Sequence, residues 1–474
     1  MSITSLLTSP IIHQRRYDAL FLGIALFILF LFYLLPTPEG LTSQGKMMIG
    51  ILLTAALLWI TEPIPLAATG LFIILLQPLL GIMSAEQVFS SFGNQAVFFL
   101  IGAFIIAAAV ETHGLHKRMA LTFLKRFETS PRFFTFGIML SCATLSFIMP
   151  EHGVAALFLP IIISILLAMK LIPKQSNFGK ISLLSIAYGC SIGSLGTLIG
   201  GARNPLTIGF LSDAGITVTF VDWMIYAMPV VIISLPIVWV ILQIVFPIEI
   251  NDITLAKKEI EKQVAVQGSF NKQETIVLSI LIITVFLWIF FSHYTYFGLA
   301  GIALLGSTFL FITKTITWKD VEKKVPWGII LLYGGAITLG IGMQQTGAGS
   351  FIAQHLFTNL AENPYLVIFG LILFTVILTN VMSNTGAVAV LLPIGFAIAT
   401  ELPNLSPLLS SMIIALSGGL AFVFIIATPG NAITYSAGYF TTKDLFKAGS
   451  IANIICVFII FAIAILYWKG ILNL

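Results

Sequence analysis

A carboxylate and an imidazole stand side by side in an otherwise apolar stretch, FIMPEHGVAALFLPI, at residues 147–161. Glu151 and His152 could bind a cation, donate a hydrogen bond to an anion or exchange a proton near neutral pH. An acidic side chain at the centre of a bilayer costs about 2.5–3.5 kcal/mol even on the gentler insertion scales. The apolar surroundings therefore predict that Glu151 has a partner of opposite charge.

Three further polar interruptions occur in apolar sequence. One is Ser383-Asn384-Thr385, and two are rich in glycine or proline: GTLIGGARNP at 196–205 and FIIATPGNA at 424–432. A broken helix exposes N–H groups that attract anions, and carbonyls that suit a dehydrated Na⁺ together with Ser, Thr and Asn oxygens. Four such breaks meeting at the membrane midplane would form a site for an anion and a cation. The alternative is that glycine and proline only permit kinks and close packing.

The composition indicates which elements position these residues. The chain has 474 residues, of which 58% are hydrophobic and 9% are charged, whereas a soluble domain carries about 25% charge. The apolar runs have the length of membrane-spanning helices, and they are continuous, which argues against a β-barrel. The sequence predicts an all-α polytopic membrane protein with about eleven transmembrane helices and two re-entrant hairpins, at 134–170 and 364–399. The predicted spans lie near 18–36, 46–62, 65–82, 95–111, 181–211, 222–248, 275–292, 296–313, 327–346, 408–438 and 445–468.

The distribution of charge predicts the orientation. With the N-terminus in the cytoplasm, 20 of the 23 basic residues fall in cytoplasmic segments, as the positive-inside rule requires. Arg203 is the one basic residue left inside a predicted span. The dispersed positive charge argues against a nucleic-acid partner, and the three cysteines match no metal or disulfide pattern. We expect an integral protein of a bacterial inner (plasma) membrane.

An internal repeat is visible in the numbering. MPEHGVAALFLPI (149–161) and MSNTGAVAVLLPI (382–394) share six of thirteen residues at an offset of 233, and other pairs recur at that offset. An odd number of spans in each copy would invert the second relative to the first, as in many secondary transporters. The prediction is two inverted five-helix repeats. The divisions are an N-terminal tail and first helix (1–45), a first repeat (46–249), a cytoplasmic linker (250–274) and a second repeat (275–474).

The chain resembles the divalent anion–sodium symporter family, whose members carry dicarboxylates, citrate or sulfate. The resemblance covers nearly the whole chain and rests on WITEPIPLAATGL (59–71), MSNTGAVAVLLPI and ATPGNAITYSAGY (427–439). It implies a homodimer in which a transport domain moves against a scaffold by an elevator motion. It also implies a second sodium site built from Thr379, Met382, Asn384 and Ala427. The substrate contacts implied in this half are Ser383, Asn384, Thr385, Thr428 and Pro429.

The first half departs from the family pattern, because Pro150-Glu151-His152 stands where the resemblance implies Ser-Asn-Thr. The first sodium site would use Ser146, a carbonyl near Gly200 and the two side chains that are replaced. Our hypothesis is that Arg203, next to Asn204, takes over part of the electrostatic role of the first sodium, with Glu151 as its partner. His152 would hydrogen-bond substrate or couple transport to protons. The predicted substrate-binding residues of this half are Glu151, His152, Arg203 and Asn204. The alternative is a Glu151–Arg203 pair that only joins the hairpin to the broken span.

These observations predict a secondary active transporter of small anions, cation-coupled, with an altered first sodium site. A sodium-independent or proton-coupled anion exchanger of the same fold is the alternative, and a channel is a further one. A membrane-embedded enzyme is remote, since neither a His-Glu-x-x-His nor a Gly-x-Ser-x-Gly motif is present. No cofactor is expected apart from Na⁺ as a coupling ion. The expected partners are a small anion, the lipid bilayer and a second copy of the chain.

Overall fold

The computed structural model describes residues 3–294, 297–357, 363–402 and 404–474, and these residues form helices and connecting segments without a strand. The first eleven helices are α1 (Ile3–Leu34), α2 (Ser43–Thr61), α3 (Leu66–Leu79), α4 (Ala85–Ser91), α5 (Gln95–Thr112), α6 (Leu115–Leu124), α7 (Pro131–Leu145), α8 (Glu151–Ala168), α9 (Asn177–Gly193), α10 (Arg203–Asp213) and α11 (Phe220–Val245). The others are α12 (Thr254–Gln267), α13 (Lys272–Phe291), α14 (Gly298–Ile312), α15 (Trp318–Lys324), α16 (Trp327–Gln345), α17 (Ala348–Phe357), α18 (Pro364–Val381), α19 (Asn384–Glu401), α20 (Pro407–Ser417), α21 (Pro429–Ser436) and α22 (Thr442–Ile463). Short 3-10 turns lie at Lys125–Phe127 and Ile425–Ala427, and a π-helical turn follows α22 at Ala464–Lys469.

The helices confirm the prediction of a polytopic membrane protein. Within the described residues, ten helical segments are long and apolar enough to cross a bilayer. Seven of them coincide with predicted spans, and three are arms of the two predicted hairpins. The number differs from the predicted eleven spans because α3 and α14 are short, and because two predicted spans, 181–211 and 408–438, are each divided into two shorter helices.

The helices are interrupted where polar residues break the apolar runs. Residues 146–150 separate α7 from α8, and residues 382–383 separate α18 from α19. Longer breaks lie between α9 and α10 (194–202) and between α20 and α21 (418–428). We call the first two segments the first and second tips, and the other two the first and second breaks. Whether each hairpin enters and leaves the membrane on one side stays a prediction.

Local features recur at the offset found in the sequence. The capping box of Ser84 with Gln87 has a counterpart in Thr317 with Asp320, again 233 residues later. The two most extensive helix–helix contacts also join one half to the other, since α5 packs on α14 and α3 packs on α16. These features support the predicted pair of repeats, whose boundaries and inverted orientation stay predictions.

The contacts between the halves bring the interruptions together. α10 of the first half packs against α19 and α20, whereas α21 of the second half packs against α8 and α9. Each short helix after a break therefore contacts the helix that begins at the tip of the other half. The linker 250–274 contains α12, which packs on α6 and α8. The first tip, the second tip and both breaks thus surround one region in the interior of the bundle.

Candidate functional site

The first tip is tied to the first break by its backbone. Pro150 is the residue before α8 and offers no side-chain cap. The N–H of Glu151 donates instead to the Gly200 carbonyl at 3.2 Å. The Thr197 hydroxyl donates to the Phe147 carbonyl at 2.6 Å. The tip and the break therefore form one bonded unit at the N-terminus of α8.

Glu151 and Arg203 are brought together, as the sequence predicts. Arg203 Nη1 lies 3.8 Å from Glu151 Oε2, and their side chains are 1% and 12% exposed. Ser194 stands between them, because its hydroxyl accepts from Arg203 Nη2 at 2.7 Å and lies 2.8 Å from Glu151 Oε2. The same hydroxyl is 2.7 Å from the Ser191 carbonyl, so its single proton is given either to that carbonyl or to the carboxylate. The buried charges are joined through a hydroxyl relay.

The guanidinium of Arg203 fills a slot between the two halves. A Cβ added at Gly419 would lie 2.4 Å from Arg203 Nη2, and one added at Gly201 would lie 2.8 Å from Nη1. Gly419 belongs to the second break and Gly201 to the first. Both positions must lack a side chain for the guanidinium to fit. The arginine therefore packs at the junction of the two breaks and not only within its own half.

A compact set of oxygen atoms surrounds the second tip. The Thr379 hydroxyl lies 2.8 Å from Asn384 Oδ1 and 2.7 Å from the Gly418 carbonyl. Asn384 Nδ2 points across to Glu151 Oε1 at 3.5 Å. Positions 151 and 384 differ by 233, so the residues that align in the repeat face each other. The Ser383 hydroxyl caps α19 by accepting from the Gly386 N–H.

Asn204 and Asn431 play matching local roles in the two breaks. Asn204 Nδ2 donates to the carbonyls of Ser194 and Thr197, both at 2.7 Å. Asn431 Nδ2 donates to Ala421 and Phe424, both at 2.9 Å, which lie ten and seven residues earlier in each case. Both asparagines are fully buried, and the Oδ1 of each has no hydrogen-bond partner among the described residues. Each amide therefore holds its own break closed, and the Asn204 amide bonds the break itself instead of Glu151 or Arg203.

A cavity of about 520 Å³ opens beside the first tip. Its lining comprises Phe104, Ala107, Ala108, Glu111, His116, Met149, Pro150, His152, Gly153, Ala156, Leu157, Lys323, Lys324, Pro326 and Ile433. Among the predicted substrate residues, His152 lines this cavity. Glu151 and Arg203 do not line the cavity. The predicted substrate residues of the second half do not line it either; these are Ser383, Asn384, Thr385, Thr428 and Pro429.

The remaining predicted site residues are partly accessible. Ser383 and Thr385 are half-buried, Pro429 is exposed and Thr428 is buried. The Thr428 hydroxyl caps α21 by accepting from the N–H of Asn431 at 3.0 Å. The structure thus joins Glu151, Arg203 and Asn384 in one network.

Sequence reasoning missed several residues of the charge cluster and of the cavity. Ser194 and Gly419 shape the charge cluster, and Glu111, Lys323 and Lys324 line the cavity. The two glycine pairs, 200–201 and 418–419, were a visible signal for close approach in both breaks. Nothing in the sequence indicated which side chain fills that space.

The residues of the two implied sodium sites differ in how well they suit a cation. In the second site, Thr379 and Asn384 present buried oxygens 2.8 Å apart, and Met382 and Ala427 are buried beside them. An all-oxygen set of this kind fits Na⁺. In the first site, the Ser146 hydroxyl is buried without a partner among the described residues. The Gly200 carbonyl already accepts from Glu151, and the fixed positive charge of Arg203 lies nearby and disfavours a second cation.

Three comparisons bear on identity. A family model described as the sodium:sulfate symporter transmembrane region matches residues 17–474. The chain is similar to the sodium-dependent dicarboxylate transporter SdcS of Staphylococcus saprophyticus, at 30% identity over 468 residues, covering 93% of this chain and 89% of that protein. SdcS of Staphylococcus aureus is 31% identical with the same coverage. The relatives are transporters, in agreement with the expectation that the chain is not an enzyme.

A solved structure shares the fold. It is that of Neisseria gonorrhoeae MtrF, described as illuminating a class of antimetabolite efflux pumps. The TM-score is 0.59 at 13% sequence identity, over 95% of this chain and 94% of that one. At this identity the likeness concerns the arrangement of helices alone.

Proposed function

Because the chain belongs to the sodium:sulfate symporter family, we propose that it is a secondary active transporter of small dianions such as dicarboxylates, citrate or sulfate. Transport is coupled to Na⁺ through the second half, while the first half uses an internal cation. The observation that carries this proposal is the contact between aligned positions of the two halves: Asn384 faces Glu151, and Glu151 is paired with Arg203.

The second half supplies the proposed coupling ion site. Thr379, Met382, Asn384 and Ala427 offer hydroxyl, amide and carbonyl oxygens close to the N-termini of α19 and α21. A Na⁺ bound there would neutralise partial negative charge and leave the helix N-termini free to attract an anion. The ion would therefore strengthen binding of a dianion at the neighbouring Ser383, Thr385, Thr428 and Pro429.

The first half supplies a permanent positive charge in place of an exchangeable one. Arg203 is the counterpart of Gly430 when Asn204 and Asn431 are superposed, so the guanidinium is an addition to one half only. Its charge is buried and always present. Ser146 and Gly200 are the remaining first-site groups, and we propose that they no longer hold Na⁺. Fewer sodium ions would then be required for each transported anion.

Substrate access is proposed through the cavity beside the first tip. α19 packs against α2, α16 and α17, whereas α8 faces α5 across the cavity. This asymmetry supports a conformation open on the side of the first tip. His152 would meet the anion there and donate a hydrogen bond. Alternating access would follow from movement of the tips and breaks against α3, α5, α14 and α16.

We also propose the arrangement in the cell. The chain consists of two inverted repeats, 46–249 and 275–474, joined by the linker 250–274 and preceded by the segment 1–45. It resides in a bacterial inner membrane with a cytoplasmic N-terminus and forms a homodimer. The excess of basic residues in predicted cytoplasmic segments supports the orientation.

Uptake by purified protein in proteoliposomes tests the function. Radiolabelled succinate, citrate and sulfate are each offered with a Na⁺ gradient, without Na⁺, and with a pH gradient alone. We expect saturable uptake of at least one dianion, accelerated by Na⁺, and counterflow that separates a carrier from a channel. Absence of saturable uptake for every anion would overturn the proposal. A matched variant, Thr379→Val, should weaken the Na⁺ dependence.

A second candidate is a sodium-independent or proton-coupled exchanger. It is favoured by Arg203, which supplies charge without Na⁺, and by His152, which lines the cavity and can titrate. In the same assay this function would give full uptake without Na⁺ whenever a counter-anion is present inside the vesicles. A response to the pH gradient that is lost in His152→Gln would identify proton coupling.

A further inference from the structure

The cavity beside the first tip carries charged residues at its open end. Glu111 and Lys324 are 48% and 26% exposed, whereas Met149 at the tip is 2% exposed. Lys324 Nζ lies 3.1 Å from Glu111 Oε1, which neutralises both. Lys323, next in α15, lines the same cavity and makes no ion pair among the described residues. Among the residues that line the cavity, Lys323 therefore leaves a net positive charge at the open end.

His116 adds a second polar side chain to the lining of the cavity. It comes from α6, and its Nδ1 is buried. Burial lowers the pKa of His116, while nearby Glu111 and a hydrogen bond to the Val110 backbone act in the opposite direction. A neutral imidazole has one N–H to donate, and the bond to Val110 leaves none for an anion. Lys323 is therefore the lining group that can attract an anion at the open end.

A purely structural role explains only part of the cluster. The ion pair of Glu111 and Lys324 joins the end of α5 to the end of α15, and these helices pack against each other. That pair needs neither Lys323 nor His116. A carboxylate in the path of an anion would repel it unless it were neutralised, which gives the Lys324 pair a function beyond holding two helices.

We propose that Lys323 forms an anion-recruiting site at the mouth of the cavity, with Lys324 neutralising Glu111 so that dianions can pass. The ligand is a small carboxylate or sulfate dianion bound loosely on its way to or from the first tip. This inference rests on the proposed transport of dianions. It adds a second binding position, on one side of the membrane, to the site formed by the tips and breaks.

The size of the effect follows from charge and screening. A unit charge about 8 Å from a dianion in water, screened by about 0.1 M salt, changes its association about two- to threefold. The same charge changes association of a monoanion only about 1.5-fold. Removing Lys323 should therefore raise KM for a dianion by about that factor, without changing kcat, and the effect should fade as salt increases.

The experiment compares three variants in inside-out and right-side-out membrane vesicles, with radiolabelled succinate and sulfate as probes. Lys323→Gln should raise KM two- to threefold from the side to which the cavity opens, and leave KM from the other side unchanged. Lys319→Gln is the matched control, because this lysine is exposed on the same helix but does not line the cavity. Glu111→Gln should lower KM, since it removes the negative charge from the path.

The outcomes separate the two proposals. Equal KM values for Lys323→Gln and Lys319→Gln, or equal effects from both sides of the membrane, would overturn the recruiting site. A higher KM in Glu111→Gln would overturn it as well. No saturable uptake of either anion by the wild-type protein would contradict the proposed function instead. Lys323 and Lys319 are both exposed, so neither substitution disturbs folding, and thermal melting of each purified variant verifies this.

Discussion

Replacing Arg203 by methionine should destabilise the protein by several kcal/mol. At 3.8 Å from Glu151 and an effective dielectric constant of about 20, the two charges attract by about 4 kcal/mol. Removing one partner of a buried ion pair costs about 3–5 kcal/mol, because the remaining charge stays uncompensated. Methionine keeps most of the length and apolar volume of the side chain. The loss should therefore come from Glu151, whose carboxylate would keep Ser194 and Asn384 as its partners among the described residues.

The double variant distinguishes charge from packing. Arg203→Met combined with Glu151→Gln leaves no buried charge, so its melting temperature in detergent should lie well above that of either single variant. Simple addition of the two single effects would show that the pair is not coupled, and would refute the reasoning. Melting followed by tryptophan fluorescence is a suitable assay, and Glu111→Gln provides a control carboxylate outside the cluster.

The same position tests the role of the internal cation in transport. In Arg203→Ser the space beside Glu151, the Ser146 hydroxyl and the Gly200 carbonyl becomes available to an ion. Uptake as a function of Na⁺ concentration should then become steeper than in the wild type, because a second sodium ion is required. An Arg203→Ser protein with wild-type uptake and an unchanged sodium curve would leave the pair with a structural role alone.

Three further substitutions test the slot for Arg203, a buried amide of the second break and a carboxylate outside the cluster. Gly419→Ala should push the guanidinium of Arg203 out of its slot and impair both stability and uptake. Gly370→Ala, whose new Cβ would meet no neighbouring side chain or helix within 4 Å among the described residues, should be silent in melting and uptake assays. Asn431→Asp removes two donors to buried loop carbonyls and should lower the melting temperature, since each unsatisfied buried group costs about 1–3 kcal/mol. Burial raises the pKa of Glu128, so its charged form opposes folding and stability falls as pH rises through that pKa. Glu128→Gln should therefore melt higher than the wild type at pH 8, with a difference that disappears as the pH falls below the ordinary glutamate pKa.

The sequence predicted the features that local chemistry determines. Continuous apolar runs predicted the spans, and the interruptions at Glu151 and Ser383 mark where helices end and begin. The prediction that Arg203 pairs with Glu151 needed only the cost of burying two charges, and it is confirmed. The number of spans was harder to predict. An apolar run such as 181–211 does not reveal that the nine residues 194–202 in its middle are not helical.

The contacts between distant segments could not be predicted. Ser194 relays between the charges only because the first break folds back on α9, and Gly419 accommodates Arg203 only because the halves meet. His116 lines the cavity because α6 turns back towards the first tip. Such positions depend on tertiary packing between helices, which the hydropathy of each helix does not specify.

Glu151 and Arg203, the two charged residues of the charge cluster in the first half, depend on each other because an unpaired buried charge is costly. Replacing the amide found at Asn384 by the carboxylate of Glu151 adds a buried negative charge, and replacing the hydrogen side chain found at Gly430 by Arg203 adds a buried positive one. Either change alone would cost several kcal/mol, whereas together they leave the net charge of the site unaltered. A bound sodium ion leaves after each transport cycle, but an arginine does not. The charge of the first half should therefore be the same at every sodium concentration, and the sodium dependence of transport should arise from the second half alone.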